Sequence, residues 1–100
     1  MDELIEAAKR ECGISWENAN TEKRIQDITE SSVEIISHKL GMHEIDREDF
    51  MHPGLARMLL LRFCQYWWNS METEFEANYR QEILTQRHRY EVKHGKEETE

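Results

Sequence analysis

The chain has 100 residues, 38% hydrophobic and 34% charged, with one proline, four glycines and a formal net charge of −8. That length supports one domain with a modest core, and the composition excludes collagen-like and Pro-rich classes. No uncharged run approaches the roughly 20 apolar residues of a membrane span. Asp2, Glu3 and Glu6 do not suit a basic-then-apolar export signal, so a cytoplasmic location is expected.

Residues 2–12 read as a first helix. Leu4, Ile5, Ala8 and Cys12 fall on one face at a 3.6-residue period. Asp2 and Glu3 suit the positive end of the helix dipole, Lys9 and Arg10 the negative end, and Gly13 a left-handed cap. Residues 14–20 form a connection in which Trp16 is expected to plug against the bundle.

A second helix is predicted over residues 20–40, capped at Asn20 or Thr21 and closed by Gly41. Ile25, Ile28, Val33, Ile35, Ile36 and Leu40 make a broad apolar arc. Thr29 and Ser32 near its middle are small enough for another helix to approach closely. In the connection over residues 42–52, Ile45 and Phe50 are expected to turn inward. Asp46, Arg47, Glu48 and Asp49 are expected to stay in water. This acidic run lacks the glycine and the twelfth-position acid of an EF-hand loop.

Pro53 suits the first turn of a third helix over residues 53–68. Apart from the polar stripe Arg62, Gln65 and Asn69, nearly every position of this helix is apolar, including Phe63, Tyr66, Trp67 and Trp68. Such a helix is either the centre of the fold or covered by a second subunit. Asn69 with Glu72 resembles a capping box opening a fourth helix over residues 71–91. Its apolar stripe is Met71, Phe75, Tyr79, Ile83 and Tyr90, interrupted by Gln86, and Glu76–Arg80 has favourable i, i+4 spacing. The expectation is therefore an all-α fold. A small bundle of about four helices forms a single domain over residues 1–92, and residues 93–100 form a disordered, flexible acidic tail.

The chemistry of sites is thinly represented, and no catalytic residue stands out. There is no glycine-rich phosphate loop, zinc quartet or nucleophile elbow. Cys12 and Cys64 sit in apolar helical registers and are expected as buried, reduced thiols rather than a disulfide or metal pair. His38 and His43 lack acidic or thiol partners at ligand spacing, so neither a metal nor a cofactor is expected. Glu30/Glu34 and Glu72/Glu76 evoke the Mg²⁺ sites of nucleotide pyrophosphohydrolases, but no Glu-x-x-Asp partner exists anywhere in the chain. Charge is uneven: residues 1–50 carry net −7 and residues 51–100 net −1. No basic cluster exceeds Lys9-Arg10 or Arg87-His88-Arg89, so sequence-specific nucleic-acid binding is not expected.

Residues 59–69 (LLLRFCQYWWN), 75–83 (FEANYRQEI) and 90–92 (YEV) together resemble the small head–tail connector proteins of tailed phages and prophages, also called head-completion or adaptor proteins. The layout before them fits too: a short helix, a longer one ending in Leu40-Gly41, then a turn. The resemblance covers most of the chain in layout but about 35 residues in motif, and it implies a structural role without catalysis. Such proteins are helical bundles that form a ring, usually of about a dozen copies, beneath the portal vertex. The ring extends the DNA channel and offers a docking surface to a stopper or tail-completion protein. The implied locations are the host cytoplasm during assembly and then the head–tail junction of the virion. Carried onto this chain, the ring contact would involve Leu61, Arg62, Gln65 and Trp68. Portal binding would involve the segment containing Arg87, Arg89, Tyr90 and Val92. The rival expectation is a small acidic helical regulator or partner-binding protein.

Overall fold

The computed structural model describes residues 2–15 and 18–98, with side chains through residue 95, so the expected plug Trp16 lies outside the described residues. Four α-helices and one 3-10 helix follow in order: α1 (Asp2–Glu11), α2 (Ala19–Leu40), η1 (Glu44–Met51), α3 (Leu55–Trp68) and α4 (Glu72–Glu98). The all-α bundle expected from the hydrophobic periodicity is the fold observed.

Helix ends are set by local chemistry. At the end of α1, Gly13 adopts φ 72°, and Ile14 N–H reaches Lys9 O at 2.9 Å. At the end of α2, Gly41 adopts φ 69°, and Met42 N–H reaches Ser37 O at 2.9 Å. Both are Schellman closures, in which a left-handed residue lets the chain turn back onto free carbonyls. The cap of α2 falls two residues before the expected position. Asn18 Oδ1 accepts from the backbone N–H of Asn20 and Thr21 at 2.9 and 3.3 Å.

The third closure departs from expectation. Asn69 does not open α4 but ends α3, its side-chain amide donating to Gln65 O at 2.9 Å. Ser70 takes the left-handed position at φ 59°, and Met71 N–H reaches Tyr66 O at 2.7 Å. A third Schellman turn therefore replaces the expected capping box. Pro53 and Gly54 precede α3 rather than forming its first turn.

α3 is the centre of the molecule and packs against α1, α2, η1 and α4. Its Leu59, Leu60 and Cys64 are fully buried beside Ile25, Ile36 and Leu40 of α2, Phe50 of η1 and Phe75 of α4. Thr29 and Ser32 are buried completely, as close approach of α3 requires, and their hydroxyls lie against the Cys64 thiol. Thr29 Oγ1 also donates to Ile25 O at 2.7 Å, so the buried hydroxyl is satisfied within its own helix.

α4 spans 27 residues, about 40 Å at 1.5 Å per residue, along a molecule 50 Å in its longest dimension. Tyr79 departs from helical geometry (φ −118°, ψ 19°) and kinks it. The Tyr79 ring stacks on Phe75 at 4.9 Å, and both meet Tyr66 edge-on. Beyond the kink the buried positions are Ile83, Gln86, Tyr90 and His94. Gln86 therefore lies within the buried stripe, and that stripe passes the expected domain limit at residue 92.

Candidate functional site

The densest polar constellation lies where α4 crosses η1. Asp46, expected in water, has a side chain with no exposure at all. It accepts from Lys93 Nζ at 2.6 Å, from His94 Nε2, and from the backbone N–H of His43 at 2.8 Å. Its own N–H returns to His43 O at 3.0 Å. The imidazole of His43 stacks on that of His94, with centroids 3.4 Å apart and planes 9° apart. One turn along, Tyr90 Oη donates to Asp49 Oδ2 at 2.6 Å.

This arrangement acts as a latch that fixes the far end of α4. Burial alone would push the Asp46 carboxyl up, but hydrogen bonds from Lys93, His94 and His43 outweigh it and hold it down at about 2. Burial, then the bond to Asp49, pushes the Tyr90 phenol up to about 12. A buried carboxylate with this many donors costs little to keep charged and much to orphan.

Ile45 and Asp46 exchange the places expected of them. Ile45 is 78% exposed while Phe50 is fully buried. η1 is a 3-10 helix, and the positions it turns inward are 46 and 50. The alternation of apolar and acidic residues is visible in the sequence, but this register is not. The donors that make burial of Asp46 tolerable lie 47 and 48 residues away.

Among the residues expected at a subunit contact, Leu61, Gln65 and Trp68 are half-buried and Arg62 is exposed. Arg62 reaches Glu11 at 3.2 Å and Gln65 at 3.5 Å. Trp68 is covered within its own chain: the Arg24 guanidinium lies 4.4 Å from the ring centroid, and Arg24 Nη2 donates to Trp68 O at 3.1 Å. The apolar girth of α3 is thus taken up largely by its neighbours. Among the residues expected at the portal, Arg87, Arg89 and Val92 are exposed, and Arg87 pairs with Glu91 at 3.1 Å. Tyr90 corrects the expectation. It is 4% exposed and belongs to the core, because its ring completes the inner stripe of α4 and its hydroxyl is engaged by Asp49.

Among the described residues the exposed large apolar side chains are Ile45, Met71, Leu84 and Val92, none of them on α3. Leu84 was legible in retrospect, because it falls off the Phe75–Ile83–Tyr90 face.

Three of the four glutamates weighed as metal ligands are paired within the fold, whereas Glu72 Oε2 is buried with no hydrogen-bond partner among the described residues. Glu76 pairs with Lys39 at 3.1 Å instead of Arg80, and Glu34 with Arg47 at 2.9 Å; Glu30 accepts from Gln26 at 3.1 Å. Among the described residues no three His, Cys, Asp or Glu side chains are grouped to hold a metal ion. Cys12 and Cys64 are free thiols, both pushed up by burial, Cys12 to about 12. No described helix is long and apolar enough to cross a membrane. Comparison with family models, with curated proteins and with solved structures finds no match to this chain.

Proposed function

We propose that this chain is a structural protomer of a phage or prophage head–tail connector. It would assemble as a ring beneath the portal and act as a scaffold without catalysis. The observation that carries the reading is the order of elements: a short helix, a long helix, a turn, a central aromatic helix and a long C-terminal helix. That is the layout implied by the resemblance in residues 59–92. Exposed apolar side chains on η1 and α4, outside the core, are consistent with a protomer that has neighbours. The portal-facing part of α4 would be Arg89 and Val92 on its outer face, because Tyr90 is committed to the core and Arg87 is held by Glu91. Its setting would be the host cytoplasm during assembly and the head–tail junction afterwards.

The test is co-purification of the full chain with the portal protein encoded in the same genome, followed by electron microscopy of the particles. A ring of this protein on the portal vertex supports the reading. Failure to bind portal particles under conditions that preserve them would remove it.

A further inference from the structure

Two surface features of this molecule carry opposite charge around exposed apolar side chains. Ile45, the most exposed large apolar side chain at 78%, stands on η1 between the exposed carboxylates Glu44 and Glu48. Its neighbour Arg47 is turned aside into a two-point pair with Glu34 at 2.9 and 3.1 Å, and Glu48 lies 3.4 Å from His52. The result is an apolar knob with an acidic rim.

A cleft of about 570 Å³ between the end of α2 and the middle of α4 has the opposite character. Its floor includes Ala77, Ile83 and the 53%-exposed Leu84, and its rim carries Lys39, Arg80 and Arg87 together with His38 and the acidic Glu76, so the excess charge is positive but partly offset. Lys39 and Arg87 each hold a glutamate at 3.1 Å, whereas Arg80 has no ion-pair partner among the described residues. The axial spacings are of similar size. Arg80 and Arg87 are about 10 Å apart along an α-helix, and Glu44 and Glu48 about 8 Å apart along a 3-10 helix. An acidic knob and a basic socket on the same chain make a second copy the fitting occupant, the local pairing acting against the mutual repulsion of two chains of net −8.

We propose that the Ile45 knob of one copy seats in the α2–α4 cleft of the next. Glu44 and Glu48 then face Arg80 and Arg87, and Ile45 rests on Leu84. Knob and socket are unlike patches, so each docked protomer still presents one of each, and the contact propagates head to tail. This deepens the ring reading above by naming its contact, and it rests on that reading only for its biological setting.

The test uses the full chain and two charge-reversed forms, Glu44→Lys/Glu48→Lys and Arg80→Glu/Arg87→Glu. Sedimentation velocity follows mass against concentration at low and high salt. The expected wild-type behaviour is growth beyond two copies, weakened by salt because the rim charges are exposed. Each variant alone is expected to lose at least about tenfold in association while keeping its helical circular dichroism. An equimolar mixture of the two is expected to recover assembly, because reversed knob meets reversed socket. A wild type that stays monomeric at every concentration, one that stops at a dimer, or variants that assemble unchanged would each overturn the contact. Portal binding by a monomeric chain would retain the connector reading without this contact. Knob-dependent assembly without portal binding would do the reverse.

Discussion

Replacing Asp46 by Asn tests whether the buried carboxylate holds the end of α4. The amide keeps an oxygen for the His43 N–H but loses the charge that Lys93 and His94 engage. Asp46 is held at about 2, against 3.8 for a free carboxyl. At about 1.4 kcal/mol per unit, the charged form contributes about 2 kcal/mol to folding. Because the folded value is the lower one, that contribution is complete above pH 4 and is lost as the pH falls from about 4 to about 2. Thermal unfolding of wild type and Asp46→Asn should therefore differ at pH 7 by roughly 8–16 °C, for a domain of this size. The two curves should converge as the pH approaches 2. Glu34 is also held low, by Arg47, and adds acid sensitivity of the same sign to both proteins, so the difference between them isolates Asp46. Amide exchange should localise the loss to η1 and the last turns of α4. Equal stability at pH 7, or parallel acid profiles, would show that the latch contributes nothing net.

Truncation after Val92 removes Lys93 and His94 and leaves the buried Asp46 carboxylate with the His43 N–H alone of its three donors. It should lower stability by about 2–3 kcal/mol, measured by urea unfolding, where a disposable tail would cost nothing. Tyr90→Phe deletes the 2.6 Å bond to Asp49 and should cost about 1–2 kcal/mol with the helical spectrum unchanged. Trp67 is half-buried and meets Phe63 edge-on at 5.8 Å, so Trp67→Ala should cost about 2 kcal/mol in the same assay, below the roughly 3–5 of a fully buried tryptophan. Ser70→Gly relieves a left-handed backbone at φ 59° and should raise stability by about 0.5–1 kcal/mol; a loss would mean that the Ser70 side chain contributes more than its strain.

The helices and most of their inner faces are legible in the order of residues alone. Ile25, Ile28, Val33, Ile36 and Leu40 recur at the helical period, and all are buried. Gly13 and Gly41 marked two helix ends because few other residues accept a left-handed backbone. The near-continuous apolar character of α3 made it central, and it is the helix that every other element touches. These features depend on neighbours within about one turn, which a sequence displays directly.

Features that depend on distant partners are set by packing. Asp46 and Ile45 are adjacent, and by hydropathy the isoleucine belongs inside and the aspartate outside. The order is inverted because Lys93 and His94 arrive from the far end of the chain to satisfy the carboxylate, leaving Ile45 at 78% exposure. For the same reason the tail expected to begin at Lys93 starts with two residues that are part of the fold. The knob, the socket and the latch are all products of α4 crossing η1 and α2, and that crossing has no local signature.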